Sequence, residues 1–154
     1  TVQLAPPDPR VRREALFAVA RAGAGDAGAL VYGMIEDPDR EVRLAAAMAA
    51  GTLGVERAVR PLLALLDEED EEAVQVGLLD SLGRLGDPGA VPAIEKRALG
   101  SFFSRPTTPV RVAAFEALRR IGTPRARALL VQAAEEERDP ETRAAVRRMV
   151  AREA

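Results

Sequence analysis

Apolar and small residues return along this chain at helical spacing, and each run is closed by a glycine. Val11 and Gly23, Val42 and Gly54, Val74 and Gly86, and Val110 and Gly122 are all separated by the same 12 residues. Counted from the Val, apolar or small side chains recur at +4, +7, +8 and +11. These are Ala46, Ala49, Ala50 and Leu53, then Leu78, Ser81, Leu82 and Leu85, then Ala114, Ala117, Leu118 and Ile121. That spacing is one stripe of an amphipathic helix, and the Gly suits the left-handed residue that ends it. Counted from the Gly, +4 is Ala27, Ala58, Ala90 or Ala126, and +8 is Val31, Leu62, Ile94 or Leu130. The +12 residue is Ile35, Leu66, Ala98 or Ala134. A second amphipathic helix after a turn of three or four residues is predicted, so each unit is a helical hairpin.

Helix starts are marked by Asp8-Pro9, Asp87-Pro88, Thr108-Pro109, Thr123-Pro124 and Asp139-Pro140. An Asp or Thr side chain caps orphan N–H groups there, and Pro fits the first turn because its missing N–H is not needed. The register advances by 31, 32, 36 and 32 residues from Val11 through Val42, Val74 and Val110 to Thr142. A period near 30 signals a solenoid, in which each hairpin buries its stripe against its neighbours. The fold expected is all-α: a right-handed α-α superhelix of about four and a half hairpins, with units at 8–36, 37–67, 68–106, 107–138 and 139–154. The last unit is a lone first helix. Residues 1–7 read as a Pro-bearing lead-in, and the start at Thr1 leads us to expect a piece of a larger protein. The longest step places an insertion at 100–106.

Val42-Arg43 followed by Gly51 and Gly54, and Leu82-Gly83-Arg84-Leu85-Gly86-Asp87 followed by Ala90-Val91-Pro92, resemble the bacterial HEAT and phycobilisome-lyase-type HEAT-like repeats. The resemblance runs from about residue 8 to the end. It implies a scaffold or adaptor in the cytoplasm that binds a protein or peptide on the concave face lined by second helices. The alternatives are a subunit of a bilin lyase-type modifying enzyme, which the resemblance implies, and nucleic-acid binding through the basic C-terminal third. The third unit departs from the pattern: Gln75 stands where Arg12, Arg43, Arg111 and Arg143 stand elsewhere, Gly77 interrupts its first helix, and five acids at 68–72 precede it. A bend or soft point is expected there, since an interior Gly costs about 1 kcal/mol against Ala.

Composition removes several chemistries. There is no Cys, His or Trp, which excludes disulfides, thiolate nucleophiles, Cys/His zinc sites and histidine acid/base catalysis. The carboxylates form runs rather than a converging pair, and the glycines fall at helix ends by period. No catalytic, cofactor-binding or metal-binding residue is therefore assigned, and no enzyme activity is expected. No stretch is apolar for long enough to span a membrane. The net charge of -2 argues against a nucleic-acid-coating protein. Residues 1–96 hold 10 basic and 17 acidic side chains, a balance of -7, and residues 97–154 hold 12 and 7, a balance of +5. The basic part contains Arg119, Arg120, Arg125, Arg127, Arg147 and Arg148, with Glu116 and 135–137 among them, while Lys96 is the only Lys.

Binding, if local, should sit where the repeat varies. Off-stripe positions of the second helices nominate Tyr32, Arg60, Leu63, Glu95, Lys96, Val131 and Gln132 as partner-binding residues, with Tyr32 as anchor. Phe102 and Phe103 in the insertion are the sharpest local oddity. They form a binding knob if exposed, although tucking under the loop to close the gap is the expected arrangement. The Arg row at 12, 43, 111 and 143 is expected to pair with acids of neighbouring units. Thr107 and Thr108 are expected to cap a helix.

Overall fold

The computed structural model describes residues 8–23 and 25–153; the lead-in at 1–7 lies outside them. Among the described residues there are nine α-helices and no strand. They are α1 (Pro9–Ala22), α2 (Gly28–Met34), α3 (Arg40–Leu53), α4 (Val59–Glu68), α5 (Glu72–Leu85), α6 (Val91–Leu99), α7 (Thr108–Ile121), α8 (Pro124–Glu136) and α9 (Pro140–Glu153). The odd-numbered helices stack on one another in order, and each even-numbered helix packs under the odd-numbered helix that follows it. The result is an all-α solenoid. No helix among the described residues is long and apolar enough to cross a membrane.

Local chemistry accounts for most helix ends. The Asp8 carboxylate accepts from the Arg10 N–H, Asp39 from Val42, Asp139 from Thr142, and the Thr123 hydroxyl from Ala126. Each first helix stops at a left-handed Gly, with φ between 63° and 69° at Gly23, Gly54, Gly86 and Gly122. The start of α7 corrects one expectation. Thr107 holds the cap position without a side-chain cap bond, and Thr108 is already helical. Its hydroxyl turns instead to the Asp139 carboxylate of the next junction, 3.4 Å away.

The stripe expected on the first helices is buried or half-buried in α3, α5 and α7, but a second buried row lies beside it. Leu16, Ala47, Leu79 and Phe115, all at +5, are fully enclosed. An inner first helix is wedged between the helices before and after it, so it needs apolar atoms on two faces. The contact is close. A Cβ on Gly51 would lie 2.8 Å from the Ser81 Cα, and one on Gly83 would lie 2.8 Å from the Ala117 Cα. Gly77, read as a soft point, faces Leu44 at 3.3 Å. It lies within an unbroken 14-residue helix.

The junctions between hairpins are held by arginines. Arg12 pairs with Asp37 at 2.8 Å, and Arg111 grips Glu137 with two nitrogens. Arg43 and Arg143 correct the expected ladder, because both donate to main-chain carbonyls, of Asp37 and Glu137 respectively. The Gln75 amide makes the same bond to the Glu69 carbonyl, so the departure from Arg keeps the hydrogen bond and drops the charge. The carboxylates of Asp37, Glu69 and Glu137 also accept the N–H two residues on. At the third junction that acid is replaced by Arg105.

This geometry makes the fold acid-sensitive. The bond from Arg12 holds the Asp37 carboxyl below the usual range, and the bond from Arg119 does the same for Glu116. At Glu69 and Glu137 burial pushes the carboxyl up, but the bonds from main-chain N–H groups and arginines outweigh it and both stay low. A carboxyl lowered by folding adds stability above its unfolded pKa of about 4. That stability is lost as pH falls through the folded value. The urea midpoint is therefore expected to hold steady between about pH 7 and 5 and to drop below about pH 4. A midpoint flat down to pH 3 would show that these pairs do not stabilise the stack.

Candidate protein-interaction face

The insertion builds the most distinctive surface. The α6 helix ends at Leu99, and Gly100 then turns the chain outward with φ 70° and ψ -172°. Only Gly fits, because a Cβ there would sit 2.9 Å from Pro106 Cδ and 3.0 Å from the Ser104 carbonyl oxygen. Ser101 and Ser104 close a tight turn. The Ser101 N–H donates to the Ser104 carbonyl at 2.7 Å, and the Ser104 N–H returns to the Ser101 carbonyl at 3.3 Å and to the Ser101 hydroxyl at 3.1 Å.

Phe102 and Phe103 form the tip of that turn. They are 93% and 95% exposed, with rings edge to face at 5.1 Å. The expectation that they tuck under the loop is thus overturned. A two-residue tip between paired serines carries its side chains away from the body, and Pro106, packed on Gly100, occupies the inner side. Beside the tip a groove of about 760 Å³ runs between the loop and α8. Leu99, Phe102, Pro106, Leu129 and Ala133 line it together with Gln132 and the charged Arg105, Arg111, Glu136, Glu137, Arg138 and Asp139.

Of the residues nominated from sequence, Phe102 and Gln132 meet at this groove, where Gln132 donates to Glu136 at 3.0 Å. Phe103 is at the tip, and Val131 is 52% exposed on α8. Tyr32 is 38% exposed, but the Arg57 guanidinium lies over its ring at 4.5 Å. It therefore helps join the first two hairpins. Arg60 and Lys96 are exposed and Leu63 is half-buried against the core. Glu95 is paired with Arg125 of the next second helix. Leu99, half exposed, and Leu129 were missed. Both lie outside the off-stripe rule, and only the fold brings them to one groove.

The charge balance by halves is more clearly a balance by edges. Arg57, Arg84, Arg119, Arg120, Arg125 and Arg127 gather where first helices end and second helices begin. The acids of 36–39, 67–72 and 135–137 gather at the junctions. Most of the arginines are engaged: Arg84 and Arg120 with Asp80, Arg119 with Glu116 and Glu153. Arg147 donates to the Ala134 carbonyl.

The family model described as HEAT repeats matches residues 2–76 and 61–151. No curated protein matches the chain.

Proposed function

The chain belongs to the HEAT-repeat family, and from that premise we propose that it is a non-enzymatic scaffold whose groove beside Phe102 and Phe103 binds a protein or peptide. The observation that supports this reading is the pair of fully exposed aromatics on a hydrogen-bonded turn, next to a groove lined by apolar and charged side chains in about equal measure. Exposing such side chains gains nothing for folding, whereas burying them in a partner is favourable. Aromatic anchors ringed by polar groups are the usual centre of a binding patch. The exposed second-helix residues Val131, Lys96 and Arg60 extend the same reading along the array.

Peptides selected from a random displayed library by the unaltered protein are expected to bind the double variant F102S/F103S at least about tenfold more weakly, as loss of an anchor predicts. The thermal midpoint should stay within about 2 °C, because neither ring packs on the core. Equal peptide binding by both proteins would remove the groove from consideration. The lyase-subunit reading rests on resemblance alone and predicts a visible absorbance change on mixing with a tetrapyrrole. Nucleic-acid binding through the Arg-rich third is disfavoured, because Arg119, Arg120 and Arg125 are engaged with carboxylates.

A further inference from the structure

One junction inside the array reverses its charge. Asp37, Glu69 and Glu137 stand five residues before Val42, Val74 and Thr142. Each pairs with an arginine of the first helix that precedes it: Arg12, Arg40 and Arg111 respectively. Five residues before Val110 stands Arg105, and Gln75 takes the register of Arg12 and Arg111 in the preceding first helix. A cation–anion pair thus becomes an amide and a lone cation. No Asp or Glu occurs between Glu95 and Glu116, a stretch that holds Lys96, Arg97, Arg105 and Arg111. Arg105 is exposed, has no partner among the described residues, and lies two residues past Phe103. Complete hairpins flank this junction on both sides.

The other charges of the groove are mostly satisfied within the chain. Arg111 grips Glu137, and Asp139 is bonded to the Thr142 N–H at the start of α9. Glu136 accepts from the Gln132 amide and has no cation beside it. Arg105 and Arg138, both exposed, have no partner among the described residues. Two cations and one anion therefore face the groove without an opposite charge. The register-equivalent groove between α2 and α4, about 480 Å³, has the reverse character. Pro61, Ala64, Leu65 and Glu68 hold there the positions of Leu129, Gln132, Ala133 and Glu136. It has no aromatic lining, and its Glu36 and Glu68 are without a cation partner among the described residues. Between α4 and α6 the same register position is Arg97, which bridges to the Leu66 carbonyl at 2.6 Å. Of these three places, only the groove beside Phe102 combines an aromatic tip with uncompensated positive charge.

We infer that the partner of this groove is a peptide that sets an acidic side chain beside a large apolar one. The inference rests on the reading of the groove given above. The apolar side chain packs on Phe102 and Leu99, and the Arg105 guanidinium takes the carboxylate, which its planar fork can grip at two points. The acids gathered at the other junctions oppose an anionic membrane as the occupant. Peptides selected from a random displayed library by the unaltered protein are expected to carry Asp or Glu close to Phe, Trp, Leu or Ile. Fluorescence anisotropy on synthetic copies measures their affinity. R105E should weaken binding at least about tenfold, and so should replacing the peptide's acid by Lys. The Lys peptide with R105E should return to within about threefold of the original pair, a rescue that damage to the fold cannot produce. Circular dichroism should not change, because Arg105 has no partner within the chain. Binding that R105E leaves intact and F102S/F103S abolishes keeps the groove and overturns the acidic partner. Binding indifferent to both variants overturns both readings. So does a protein that selects no Phe-dependent peptide but sediments with vesicles of phosphatidylcholine and phosphatidylserine through its Phe pair.

Discussion

Phe115→Ala is expected to lower the unfolding free energy by about 3–5 kcal/mol, the range for removing a fully enclosed Phe. Phe115 has no exposed surface and is the largest fully buried side chain among the described residues. It fills the +5 position of α7, where the other units carry Leu16, Ala47 and Leu79. The unit that follows the longest register step thus carries the bulkiest filler. Its neighbours are held by helices on both sides, so they have little freedom to collapse into the space. A loss of that size is a large share of the roughly 5–15 kcal/mol that stabilises an ordinary domain. Urea unfolding measures it directly. A loss below about 1 kcal/mol would mean that the α5, α6 and α7 packing can close around the hole.

Gly83→Val should cost about 3 kcal/mol, with a thermal midpoint lower by roughly 6–12 °C. The obstruction is main chain: the added Cβ would lie 2.8 Å from the Ala117 Cα and 3.1 Å from its Cβ. No rotamer change relieves that contact. The α5 and α7 helices must separate, and every unit stacked beyond them shifts as well. Gly33 in α2 provides the opposite sign. A Cβ there meets nothing within 4 Å, so Gly33→Ala should stabilise the protein by about 0.5–1 kcal/mol through helix propensity alone. If both substitutions changed stability in the same direction, contact distance would not be what separates these glycines.

Much of the fold was legible because it rests on local rules repeated four times. The Val-to-Gly interval announced each first helix, and the left-handed glycines at 23, 54, 86 and 122 stand where the interval put them. Asp8, Thr123 and Asp139 cap as their sequence position suggested. The candidate site was legible as a location only. The insertion and its two Phe stood out against the period. Their direction did not, because it depends on the Ser101–Ser104 hydrogen bonds and on the packing of Pro106. Leu99 and Leu129 become one groove only when α6 and α8 lie side by side.

The sequence by itself determined the repeat, the helix limits and the single stripe, since period, caps and glycine conformations are properties of a few consecutive residues. Tertiary structure decided what depends on residues about 30 positions apart. It placed a second buried face at +5, set helices in contact at Gly51 and Gly83, and chose a carbonyl for Arg43 and a carboxylate for Arg12. It also turned Phe102 and Phe103 toward solvent. A stacked array buries its surface between units, and which neighbour covers a side chain is not written in the unit that carries it.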